Sequence, residues 1–171
     1  MNSIVKTVES FLAWYNRAAS YLQSPLLLAI RLYWGWQFFD TGWGKLSHLS
    51  QAVENFGNMG APAPAFTAPF IATLETVGGI LLFFGLASRL IALPMTINMI
   101  MAYVIADREA LGSIISEPDK FYNATPFTFL MACVVVLAFG PGLFSVDALI
   151  KWYRGKQAAA AGSPTPVKES A

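Results

Sequence analysis

RLYWGWQFFDTGWGK, residues 31–45, and ETVGGILLFFGLASR, residues 75–89, decide the fold. Each is an apolar run broken by glycines and a few charges. At 100° per residue, Arg31, Gly35, Phe38, Gly42 and Lys45 fall within about 40° of one line. Glu75, Gly79, Leu82, Leu86 and Arg89 do the same on the second stretch. Small residues on a helix face let two backbones approach closely in a membrane. A charge inside a span costs about 2.5–3.5 kcal/mol, so it faces a partner or a cavity. The two stretches therefore read as membrane helices whose glycine-and-charge faces meet.

The composition agrees. The chain has 171 residues, 56% hydrophobic, 14% aromatic and 12% charged, where a soluble domain carries about 25% charged. A chain of this length cannot hide that much apolar surface in a water-soluble core. A net charge of +1 supplies no basic stripe for phosphate backbones, so no nucleic-acid partner is expected. One cysteine excludes an intramolecular disulfide, a CxxC pair and a cysteine zinc site. One histidine excludes bis-histidine haem and histidine-cluster metal centres. No metal site is expected.

Working outward, four segments approach the roughly 20 helical residues that cross a bilayer: about 24–44, 66–86, 90–106 and 124–139. The fold class is all-α, an integral membrane four-helix bundle with amphipathic interfacial helices at both ends. Residues 1–23 form the first of these, with Ile4, Val8, Phe11, Tyr15, Ala18 and Leu22 at steps of three or four. Residues 24–157 form the four-span domain. After Gly140-Pro141-Gly142, Ser145 can cap its closing helix, with Asp147 in the first turn. Residues 158–171 read as a disordered tail. A short helix is expected around Ala52, Val53 and Phe56 in the first long loop.

Several residues could carry chemistry. Arg31, Lys45 and Glu75 are read as converging at one depth, with Glu75 held ionised between two cations. This cluster either fixes helix register, holds a ligand head group such as a quinone carbonyl, or relays a proton through Glu75. Asp40 and Asn98 are secondary polar candidates. Asp40 lies about 180° from Arg31, near the outer surface, where solvation is its expected state. Asn98 is mid-span and is expected to hydrogen-bond another helix. Cys133 reads as inert packing, His48 as an exposed interfacial side chain, and Trp34, Trp36 and Trp43 as interfacial and packing residues.

The pattern Arg31-x3-Gly35-x2-Phe38-x3-Gly42-x2-Lys45 resembles the first-helix signature of the DoxX family. The likeness continues through Phe56, Gly60, Pro62 and Pro64. It then takes in Glu75-x2-Gly78-Gly79, Gly85-Leu86, Arg89 and Gly140-Pro141-Gly142-x-Phe144-Ser145-x-Asp147. The resemblance implies a four-helix bacterial inner-membrane protein associated with redox, respiratory or oxidative-stress processes. Some members of that family are linked to membrane oxidoreductase complexes, and DoxD-type chains to thiosulfate:quinone oxidoreductase. It implies no common reaction and no catalytic residues, so whether the chain is an enzyme stays open. The preferred reading is quinone binding at Arg31, Lys45 and Glu75, with no intrinsic cofactor and electrons arriving from a protein partner. In this reading the chain sits in the lipid bilayer with that partner, in a membrane redox complex, or with a second copy. The alternative is a non-enzymatic membrane scaffold or small-solute carrier.

Positively charged loops stay cytoplasmic. Lys6, Arg17, Arg89, Lys151, Arg154, Lys156 and Lys168 fall on the side of the termini, against Lys45, Arg108 and Lys120 on the other. Both termini are therefore expected in the cytoplasm. A reporter fused after Lys156 is expected to be active inside the cell, and one inserted near Glu117 outside; the reverse pattern would overturn this orientation.

Overall fold

Proline opens three of the helices, at Pro64, Pro118 and Pro126. Its missing N–H is unpaired in a first turn anyway, and its φ is preset for the helix. A computed structural model describes residues 2–161. Its helices are α1 Asn2–Ser47, α2 Leu49–Asn58, α3 Pro64–Phe84, α4 Ser88–Ile105, α5 Arg108–Gly112, α6 Pro118–Asn123, α7 Pro126–Phe139 and α8 Val146–Ala161. No strand occurs among the described residues.

The second half of α1, with α3, α4 and α7, forms a four-helix bundle in which α1 adjoins α3 and α7, and α4 adjoins α3 and α7. Phe38, Leu82, Ala92, Met95, Met99, Cys133 and Val136 form its core, with every helix contributing. The outward surface is apolar as well: Phe66 is 72% exposed, Leu90 75% and Ile97 53%. A continuous apolar exterior of this kind is stable against lipid and not against water. Helices α3 and α4 are long and apolar enough to cross a membrane, while α7 is a shorter apolar helix. The charges of α1 keep it from being recognised on hydropathy alone.

Helix α1 has 46 residues and passes through Pro25 without a break, a length of about 69 Å. The boundary expected at residue 24 is thus not marked by an end of helix. Leucines and alanine follow Pro25, and good helix formers carry the chain past the one N–H that proline lacks. The described side chains from Val5 to Gln23 are exposed, so this half stands clear of the bundle. At the other end, residues 158–161 continue α8, while the expected tail from 162 on lies outside the described residues. The short helix of the first loop is α2. The connection between α4 and α7 carries α5 and α6. Tyr103 of α4 donates to the Phe121 carbonyl at 2.8 Å and holds α6 down.

The α1–α3 contact is the closest in the bundle. A Cβ on Gly42 would lie 2.5 Å from the backbone nitrogen of Thr76, and one on Gly79 2.5 Å from that of Phe39. Neither neighbour can yield, because both are helix backbone. Gly44, two residues from Gly42, faces open space. Overpacking typically costs about 1–3 kcal/mol, whereas alanine in an open helix position gains up to about 1 kcal/mol over glycine. Gly42→Ala and Gly79→Ala are therefore expected to lower the unfolding temperature in detergent, and Gly44→Ala to leave it unchanged or raise it. Equal melting of all three would show that α1 and α3 do not touch through these glycines.

Candidate functional site

Glu75 sits midway along α3 and is 3% exposed. Its two oxygens are taken by different helices. Lys45 Nζ, in the last turn of α1, donates to Oε2, and Asn98 Nδ2 of α4 donates to Oε1 at 3.2 Å. The lysine also suits the negative end of the α1 dipole. The expectation that Asn98 bonds another helix is met, and its partner is the buried carboxylate itself.

The Lys45 side chain is 32% exposed and that of Glu75 5%. Lysine can thus be reached from outside while glutamate is reached only through it or through a small cavity. That cavity, about 130 Å³, is bounded by Phe38, Thr41, Met99, Thr125, Pro126 and Phe129 together with the ion pair. A wider concavity of about 450 Å³ opens on the α2 side of Lys45, past Thr41 and His48. His48 is exposed, its Nδ1 3.2 Å from the Gly44 carbonyl oxygen.

Arg31 does not join this cluster, and the expected Arg31–Glu75 pair is corrected. From Arg31 to Lys45 is 14 residues along one continuous helix, about 21 Å, far more than a side chain bridges. Arg31 is instead buried at the opposite end, 1% exposed. Its Nη2 donates to the Phe144 carbonyl, and its charge lies within electrostatic reach of Asp147. The Asp147 carboxylate in turn accepts the backbone N–H of Ala87 at 2.8 Å and of Ser88 at 3.0 Å. It thereby caps α4, whose own N-cap residue Ala87 has no polar side chain. Ser145 caps α8 as expected, accepting the Ala148 N–H at 3.1 Å.

Gly85 makes this end possible. It lies in the left-handed region at φ +69° and closes α3 with bonds from Gly85 N to Leu82 O and Leu86 N to Leu81 O. Any Cβ there would collide with the Arg31 guanidinium. The helix thus ends at Phe84, and Leu86 falls outside the face assigned to it. Asp147 was legible as a helix-start residue but not as the counter-charge of Arg31. The available signal was that Gly85 and Gly140-Pro141-Gly142 both end spans on the side where Arg31 enters.

Asp40 is exposed and makes no ion pair among the described residues. Cys133 is buried in the core. Trp34 packs edge-on against Phe129, while Trp36 and Trp43 are exposed. No cluster of metal-ligating side chains occurs among the described residues. Beyond the spans, Lys120 donates to Glu109 at 2.8 Å. That bond holds the Glu109 carboxyl below its ordinary pKa and raises that of Lys120; a solvated pair of this kind adds little stability.

Residues 26–108 match the DoxX family model. The chain is 34% identical over 117 residues to the Bacillus subtilis protein named "Putative oxidoreductase CatD", covering 68% of this chain and 86% of that one. It is 30% identical over 146 residues to "Uncharacterized membrane protein Rv3486" of Mycobacterium tuberculosis, covering 81% and 87%. It is 27% identical over 120 residues to "Inner membrane protein YqjF" of Escherichia coli, covering 67% and 85%. No solved structure matches.

Residues in direct contact couple energetically, whereas distant ones add within about 0.5 kcal/mol. In a double-mutant cycle on thermal unfolding, Lys45→Met with Glu75→Gln is expected to show coupling of about 1 kcal/mol or more. Arg31→Met with Glu75→Gln is expected to be additive. Coupling in the second cycle would restore the single three-charge cluster.

Proposed function

The chain belongs to the DoxX family and is an integral membrane protein, and on that premise we propose that it serves a redox process of the bacterial inner membrane by holding a quinone head group at Lys45. The observation that carries this reading is a buried carboxylate tied to a cation that is itself one-third exposed, beside an aromatic-walled cavity. The name of the B. subtilis relative, an oxidoreductase, points to the same class of process.

The residues suit the task. An ammonium has three donors, and Glu75 takes one from Lys45. The others can reach a carbonyl oxygen entering from the α2 side or from the cavity between Phe38 and Phe129. Glu75 aims the lysine, and Asn98 keeps Glu75 in place, so both act as positioning residues. The cavity is below the 300–1,000 Å³ of sites that enclose a whole small molecule. It suits the edge of a ring whose remainder lies in lipid. A quinone would supply two-electron, two-proton chemistry, with electrons from a partner protein. Arg31, which lies at the other end of the bundle, has no part in this site.

A second reading is favoured by one fact. Both Glu75 oxygens are satisfied inside the protein, as a purely structural tie between α1, α3 and α4 requires. Binding of a short-tailed quinone to the protein in nanodiscs separates the two. A hydrogen bond from a charged donor contributes about 1.5–3 kcal/mol, so Lys45→Met is expected to weaken binding about tenfold or more. Arg31→Gln and Cys133→Ser are expected to bind as wild type. If wild type binds no quinone at any accessible concentration, the head-group reading fails and the charges are a register-fixing tie in a membrane scaffold.

A further inference from the structure

We propose that the cleft between the Gly140–Gly142 turn and α8 binds the phosphodiester head group of an anionic phospholipid. The cleft, about 510 Å³, lies at the end of the bundle opposite Lys45 and is lined by Arg89, Lys151 and Arg154. All three are exposed, and none forms an ion pair among the described residues. The carboxylate in the wall, Asp147, is already engaged by two backbone N–H groups and by the charge of Arg31. Three cations therefore surround one concavity whose lining holds a single carboxylate, and none of the three pairs with it.

Arg89 is held in place. Its Nη2 donates to the Ala138 carbonyl at 2.9 Å. Its guanidinium lies over Gly140, where a Cβ would stand 3.3 Å from Nε. Four of its five N–H groups remain for a ligand, in the fork that matches phosphate oxygens.

The rim identifies the source of the phosphate. Leu90 is 75% exposed and Leu143 76%, and both line the cleft. An acyl chain covers such a rim, and a soluble phosphate does not. Helix α8 adds Trp152 and Tyr153, each about half exposed, amphipathic rings of the kind that sit at head-group level. The cleft also lies where α3 gives way to α4 and α7 to α8, the boundary between hydrocarbon and head groups. Basic pockets between helices at that boundary recognise anionic head groups.

Native mass spectrometry of the full chain in neutral detergent, titrated with phosphatidylglycerol or phosphatidylcholine, tests the assignment. Wild type is expected to retain phosphatidylglycerol in preference to phosphatidylcholine. At about 1 kcal/mol per cation near a surface, Lys151→Gln/Arg154→Gln is expected to weaken phosphatidylglycerol binding about 25-fold and Arg89→Gln about fivefold. Lys6→Gln/Arg17→Gln removes the same charge outside the cleft and is expected to bind as wild type. If Arg89→Gln does not fold, the α8 double variant decides alone, because its side chains are exposed. Equal binding of the two lipids, or an equal loss in the Lys6/Arg17 variant, overturns the proposal. Displacement of the lipid by inorganic phosphate at matched concentration also overturns it, in favour of a soluble phosphate ligand.

Discussion

A carboxylate buried inside a bilayer needs donors on its oxygens, and Glu75 imposes that condition on the whole bundle. A charged group stripped of water loses several kcal/mol unless partners restore the interaction. Lys45 and Asn98 do so from two other helices, so α1 and α4 must both stand against α3 at that depth. For α1 this needs a near-backbone approach, which Gly42 and Gly79 allow. The glycines and the charge on one helix face are thus a single device: close approach brings the donors in, and the carboxylate fixes the register at which approach occurs.

Arg31 poses the same problem with the opposite sign at the far end of the bundle. There the answer comes from irregular backbone, which is tolerated at the edge of a membrane protein where side chains and helix ends converge. The Phe144 carbonyl receives one N–H, and the absence of a side chain at Gly85 leaves room for the guanidinium. Asp147 balances the charge while capping α4. It also donates its own N–H to the Gly85 carbonyl at 3.0 Å. The α3–α4 and α7–α8 turns are therefore joined through one residue, and loss of its carboxylate would release a cap and a counter-charge together while the backbone bond to Gly85 stays.

The bundle, its helices and their contact face were legible because they rest on local rules. Apolar length marks spans, and glycine at helical spacing marks close contact. Ser145 marks the start of α8. The Lys45–Glu75 pair was legible because Lys45 closes the first span on the face that meets α3, within a side chain's reach of Glu75 at mid-helix. The third member was misplaced because a helical wheel reports angle and not depth. Arg31 shares the angle of Lys45 but lies about 21 Å away along the axis. Asp147 escaped because it is 116 positions from Arg31 in sequence, and only the folded path brings the α8 start beneath α1. Long-range pairing of that kind leaves no periodic trace.

Between the two charged clusters the core is apolar. Phe38, Leu82, Met95, Cys133 and Val136 are each 2% exposed or less. The charged side chains of the bundle interior therefore fall into two separate clusters, one at Lys45 and Glu75 and one at Arg31 and Asp147. The ends differ in kind. At Lys45 the cation is matched by a buried anion, which suits a neutral polar head group that accepts a hydrogen bond. At Arg89, Lys151 and Arg154 the cations are unmatched, which suits an anion. A rigid α1–α3 seam separates the two and shares no side chain with both. Substitutions at one end are therefore expected to leave the other intact, and a ligand function can be assigned to each without disturbing the fold that holds them apart.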